Sequence, residues 1–200
     1  MTRARAPFIA IYGINNIGKT TQVEKLVAYL NDHGYRAERI KYPIYDSPTG
    51  RQINAILRGG EDQSISEEEF QLLYVKNREG YGPTLARKLE DGIIVVAEDY
   101  AGTGIGWATA KGASYEWAVD ANAHLLKEDL AILMHGDRFT TGREEVHIHE
   151  QNDTLVLRTR TQFLRQAEDF GYHIINANQS IDLVFSDILD CVRKYTNIRI

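Results

Sequence analysis

A chain of 200 residues, 43% apolar and 26% charged, is long enough for one domain with a substantial buried core. Its formal charge of -5 argues against a surface that holds nucleic acid electrostatically, while a local basic pocket for small anions stays open. One cysteine, Cys191, excludes an internal disulfide framework. No stretch approaches the roughly 18 consecutive apolar residues of a membrane span, and Met1 to Pro7 carries no apolar signal core, so a soluble cytoplasmic protein is expected.

No repeat, low-complexity tract or linker divides the chain, and residues 1–200 are expected to form one domain. Phe8 to Tyr12 is a continuous β-prone run, as for a strand covered on both faces. Val23, Leu26, Val27 and Leu30 then follow helical spacing, stopped by Gly34. Arg36 to Tyr42 predicts a second strand, ended by Pro43. A long helix is predicted from Ser66 to Leu89, opened by the capping-box pattern Ser66 to Glu69 and kinked or split by Pro83. Ile93 to Ala97, Leu130 to Met134 and Tyr172 to Ala177 predict three more strands, and helical patterns run from Thr154 to Phe170 and from Ser180 to Tyr195. Strands alternating with helices imply right-handed crossovers. The expected fold is α/β and three-layered: a five-stranded parallel sheet, helices on both faces, and ligands at the carboxyl ends of the strands.

Gly13-Ile14-Asn15-Asn16-Ile17-Gly18-Lys19-Thr20 satisfies the Walker A pattern in full, with a strand before it and a helix after it. Gly13 and Gly18 let the backbone turn its amides inward around phosphate oxygens, and the helix starting at Lys19 adds its positive dipole end. Lys19 can reach the β and γ phosphates of a nucleoside triphosphate, and Thr20 offers a hydroxyl to Mg²⁺. The motif speaks for the phosphate donor and is silent on what accepts the phosphoryl group.

With the motif and its flanks in hand, the chain resembles the thymidylate kinase family of P-loop nucleoside monophosphate kinases over nearly all of its length. Phe8 to Lys25 is similar to the family's opening strand, P-loop and first helix, including Thr21-Gln22. Lys41-Tyr42-Pro43 with Gly50 and Ile53 resembles its Arg-Phe-Pro segment and the helix that follows. Leu72 to Arg78 resembles its Leu-Leu-Phe-x-x-Asn-Arg helix, Glu98-Asp99-Tyr100 stands where the family has Asp-Arg-Tyr, and Asn176 to Ser180 is similar to its adenine-side loop.

The resemblance implies phosphoryl transfer from ATP to a nucleoside monophosphate, with thymidylate as acceptor and Mg²⁺ as cofactor. It implies that Asn15, Asn16, Ile17, Thr21 and Asn178 surround ATP, that Asn15 faces the acceptor sugar, and that Tyr74 stacks on the acceptor base. Lys41 and Arg78 would hold the acceptor nucleotide, with Asp99, Tyr100 and Trp107 beside it. Glu98 would organise the metal with Thr20, and Arg138 and Arg143 would close over the phosphates from a lid at about 136–152. At most one of Arg158 and Arg160 would point into the site, since two residues apart on a helix they face different ways. His147 and His149 suit a solvated lid segment better than a metal pair. A homodimer is implied through helices near Thr49 to Leu57 and Glu67 to Leu89.

Residue by residue, blander roles stand beside these: helix core for Tyr74, and solvated charges for Lys41, Arg78, Arg138 and Arg143. The chain also departs from the family's pattern at Tyr12, Asn15, Asp99 and Trp107-Ala108-Thr109, all on the acceptor side. Asp99 replaces an arginine, and it is expected either to be neutralised by Lys41 or Arg78 or to repel an acceptor phosphate. Two alternatives remain open: a kinase for nucleosides or another small acceptor, and a nucleotide-binding protein of weak turnover.

Overall fold

The computed structural model describes residues 5–58, 65–139 and 153–200. Five parallel strands lie in the order β2-β3-β1-β4-β5, with β1 (Phe8–Tyr12), β2 (Ala37–Lys41), β3 (Ile94–Glu98), β4 (Leu130–His135) and β5 (His173–Asn176). The expected sheet is therefore present, and its most apolar strand is central. All five residues of β1 are 0% exposed, as a strand needs when helices cover both faces.

Helices α1 (Lys19–Asp32) and α7 (Ile181–Tyr195) pack on each other and on the strands. The second helical layer is built from α3 (Glu67–Glu90), α4 (Ala101–Ala110) and α6 (Asp153–Phe170), with α2 (Pro48–Arg58) against α3 and α5 (Tyr115–Asn122) against α4. Among the described residues no helix is long and apolar enough to cross a membrane.

The capping box at α3 forms as expected: the Ser66 side chain accepts from the Glu69 amide, and the Glu69 carboxylate accepts from the Ser66 amide at 2.8 Å. Of the two effects expected at Pro83, a kink or a split, the split does not occur: α3 runs unbroken for 24 residues. Pro83 lies on the exposed side, so the carbonyl of Glu79 that it leaves without an amide partner is on the solvent side of the helix.

Helix α4 has no counterpart in the sequence-based elements, because AGTGIGWATA carries three glycines and little helical period. Tertiary contact overrides that weak propensity. A Cβ at Gly102 would lie 2.8 Å from the Tyr172 hydroxyl, and one at Gly104 would lie 2.9 Å from the Arg78 guanidinium. The glycines thus let α4 sit closer to α3 and α6 than any side chain permits.

Candidate active site

A cleft of about 490 Å³ opens at the carboxyl ends of β1, β2 and β3, between the P-loop and helices α3 and α4. At its P-loop end, three backbone positions take left-handed φ values: Gly13 at 145°, Asn16 at 58° and Gly18 at 89°. A Cβ on Gly13 would meet the Met134 carbonyl at 2.6 Å, so only glycine fits between β1 and β4 there. Helix α1 opens at Gly18 without a side-chain cap, which leaves its first amides free to bind an anion. Ile17 is buried in the core and does not line the cleft.

Lys19 is 6% exposed. Its ammonium donates to the carbonyls of Gly13 at 2.8 Å and Ile14 at 3.0 Å, and it lies 3.7 Å from Asp99 Oδ1. The counter-ion of Asp99 is therefore Lys19, in place of the expected Lys41 or Arg78. Asp99 also accepts a hydrogen bond from the Thr103 hydroxyl at 2.8 Å and holds φ at 64°. Burial pushes its carboxyl above the usual aspartate range even though Lys19 and Thr103 pull the other way.

Lys41 instead pairs with Glu98 Oε1 at 3.1 Å, the same oxygen that accepts the Thr20 hydroxyl at 2.7 Å. Glu98 Oε2 accepts from Arg39 at 2.6 Å. Burial would raise the Glu98 carboxyl, but Thr20, Lys41 and Arg39 outweigh it and hold the group below the usual glutamate range.

The opposite end of the cleft is aromatic. Tyr74 and Phe70 of α3 meet edge to face at 5.1 Å, and Trp107 of α4 joins them on the wall. Tyr74 is half-buried with one side on the cleft, so packing against Phe70 and a surface for a ligand coexist. Arg78 lines the same region, 3% exposed, with Nη1 donating to Asn122 at 3.2 Å and a buried Nε that has no partner.

Tyr100 is not on the cleft wall. It is 2% exposed and packs against Phe8 at 5.0 Å and Tyr42 at 5.2 Å. Tyr12 likewise turns from the cleft, donating to Glu128 at 2.7 Å and stacking on Tyr172 at 5.0 Å.

On the far side of the P-loop, the Phe139 amide donates to the Asn16 carbonyl at 2.7 Å. The Asn178 side chain locks onto Asp137, accepting from its amide at 2.6 Å and donating to its carbonyl at 2.9 Å. Arg160 donates to Asp137 at 2.8 Å and to His135 Nε2 at 3.1 Å, whereas Arg158 is exposed, and neither lines the cleft. Arg138 is half-buried beside Phe139. Arg143, His147 and His149 lie outside the described residues, as does most of the 136–152 segment.

The family model for thymidylate kinase matches residues 11–188. The chain belongs to the thymidylate kinase family. It is 28% identical over 195 residues to the thymidylate kinase of Danio rerio, spanning 95% of this chain and 91% of that one. It is 30% identical over 202 residues to a probable thymidylate kinase of Pyrococcus abyssi, spanning 94% and 97%. The solved thymidylate kinase of Candida albicans shares the fold with a TM-score of 0.83 at 22% identity, covering 96% of this chain and 93% of that one. As a thymidylate kinase family member the chain is a nucleoside monophosphate kinase, of a family that uses ATP as phosphoryl donor.

Sequence reasoning missed Arg39, which grips Glu98 from behind the cleft, and the cleft-lining Thr103, Gly104 and Lys111. Arg39 was within reach of such reasoning, since residues i and i+2 share a strand face and Lys41 was already a candidate. The other three sit on or just after α4, which carries no legible period.

Proposed function

We propose that the cleft binds thymidylate at its aromatic end and Mg²⁺-ATP at its P-loop end, and transfers the γ-phosphoryl group directly between them. The observation that carries this reading is the juxtaposition, in one cleft, of Lys19 and Thr20 with the aromatic wall of Phe70, Tyr74 and Trp107. The pyrimidine stacks on Tyr74, whose face offers area without demanding hydrogen bonds. Arg78, anchored by Asn122 and with Nε unpaired, reaches the acceptor, and Lys41 meets its phosphate as a point charge.

Donor phosphates lie on the amides of residues 13–20, with Asn15, Asn16 and Thr21 around them and Asn178 on the adenine side. Lys19 exchanges its carbonyl partners for phosphate oxygens. An acceptor phosphate oxygen attacks the γ-phosphorus in line as the bond to the β–γ bridging oxygen breaks, so catalysis is positioning and charge neutralisation. Arg138 and Arg143 supply further positive charge from the lid.

The Thr20 hydroxyl and Glu98 Oε1 form a pair of hard oxygen donors that fits Mg²⁺, an ion that keeps several waters and needs few protein ligands. When bound there it neutralises charge on the β and γ phosphates. A homodimer through α2 and α3 and a cytoplasmic place of action belong to the same proposal on family grounds.

The test is a coupled assay across nucleoside monophosphates and nucleosides. The expected result is the highest kcat/KM for thymidylate; a nucleoside preferred over its own monophosphate would overturn the reading.

A further inference from the structure

Glu98 is 2% exposed, and its two oxygens are divided between two sides of the site. Oε1 belongs to the cleft, where it meets the Thr20 hydroxyl at 2.7 Å and Lys41 at 3.1 Å. Oε2 belongs to Arg39, at 2.6 Å. Arg39 itself does not line the cleft, and its second terminal nitrogen pairs with Glu24 on α1. The guanidinium therefore spans from α1 to the end of β3 and grips the one carboxylate oxygen that Thr20 does not use. Its Nε is buried without a partner, so the side chain accepts an unsatisfied donor to hold this pose.

We propose that Arg39 is a positioning residue for phosphoryl transfer: braced by Glu24, it takes Glu98 Oε2 and thereby aims Oε1 at Thr20, where the metal of the donor complex is received. This rests on the reading of Thr20 and Glu98 as the metal's protein ligands. A planar guanidinium fixes the orientation of a carboxylate in a way the flexible Lys41 ammonium does not. Without Arg39, Glu98 rotates toward Lys41 and presents its oxygens to Thr20 in no single arrangement. The two cations also divide their work: Lys41 is exposed enough to leave Glu98 for an arriving acceptor phosphate, while Arg39 stays behind and keeps hold of Oε2.

The test is calorimetric binding of ATP to Arg39→Met, Arg39→Lys and Glu24→Gln, each with Mg²⁺ and in EDTA, with thermal unfolding of every variant. Arg39→Met is expected to weaken ATP binding about tenfold in Mg²⁺ and less than about twofold in EDTA. Arg39→Lys should restore part of the loss, and thymidylate affinity should stay within about twofold throughout. Equal weakening in both media, or none in either, overturns the proposal. Should Arg39→Met fail to fold, Glu24→Gln at the surface carries the test, with a loss of about threefold expected in Mg²⁺ only and an unchanged affinity refuting the brace. Loss of all metal dependence in the wild-type protein would instead overturn the assignment of Thr20 and Glu98, a separate failure from that of Arg39.

Discussion

Replacing Asp99 with asparagine tests whether its carboxylate restrains the P-loop lysine. Asparagine tolerates the left-handed φ of 64° and keeps an acceptor for Thr103, so the change is confined to one charge. At 3.7 Å from Lys19 the gross attraction is roughly 4 kcal/mol at an effective dielectric near 20. Most of that is consumed by burial, because the carboxyl is pushed up despite the lysine beside it. Lys19 also keeps its bonds to the Gly13 and Ile14 carbonyls in the variant. The remainder that Asp99→Asn releases to a triphosphate is about 1.4 kcal/mol, so ATP should bind about tenfold more tightly. The thymidylate KM should fall as well, since a like charge leaves the phosphate end of the cleft.

The pH dependence has a definite sign. A carboxyl with a raised pKa gains its proton earlier as pH falls, so wild-type ATP affinity should improve as the pH is lowered from 7.5, with Asp99→Asn showing less of this trend. Calorimetric titration of Mg²⁺-ATP across a descending pH series is the assay. An affinity within about twofold of wild type at pH 7.5, or an identical pH trend in the two proteins, would refute the restraint.

Three further outcomes are expected. Lys19→Ala should lower kcat by more than about tenfold, over 1.4 kcal/mol, while its circular dichroism and Tm stay near wild type; a smaller loss in steady-state assays would make the loop structural. Tyr74→Ala should raise the thymidylate KM about 5- to 100-fold, the range of one lost base stack, and leave the ATP KM nearly unchanged; equal damage to both constants would assign Tyr74 to packing. Gly104→Ala places a methyl 2.9 Å from the Arg78 guanidinium and should displace it, raising the thymidylate KM severalfold with ATP binding intact, as separate titrations of the two ligands would show.

The strands and the P-loop were legible because each is specified locally. Phe8 to Tyr12 is apolar at every position, and glycine at 13 and 18 is demanded by backbone geometry that no other residue adopts cheaply. Helix α3 was legible at its start, where Ser66 and Glu69 cap it, and less so at Pro83, where a split was one of two expected effects and does not occur because that side of the helix faces water. Helix α4 was not legible at all. Its reason for being helical lies in Arg78, Phe163, Gln166 and Tyr172, contributed by three other parts of the chain, and in the absence of side chains at Gly102, Gly104 and Gly106.

The same asymmetry governs the charges of the cleft. Lys19 at the start of α1, and Lys41, Glu98 and Asp99 at strand ends, are each visible as ionisable residues, but which cation meets which anion depends on strand order. In the parallel pairing of β2 and β3, Lys41 lies opposite Glu98, and Arg39, two residues earlier on the same face, reaches the same carboxylate. That leaves Asp99, one residue past the end of β3 and turned by its positive φ, beside Lys19. Reversing the sign at position 99 therefore does not leave a bare acid facing the acceptor, as a linear comparison of motifs suggests. It couples the acceptor side of the cleft to the donor's lysine, so a substitution at Asp99 should be felt by both nucleotides.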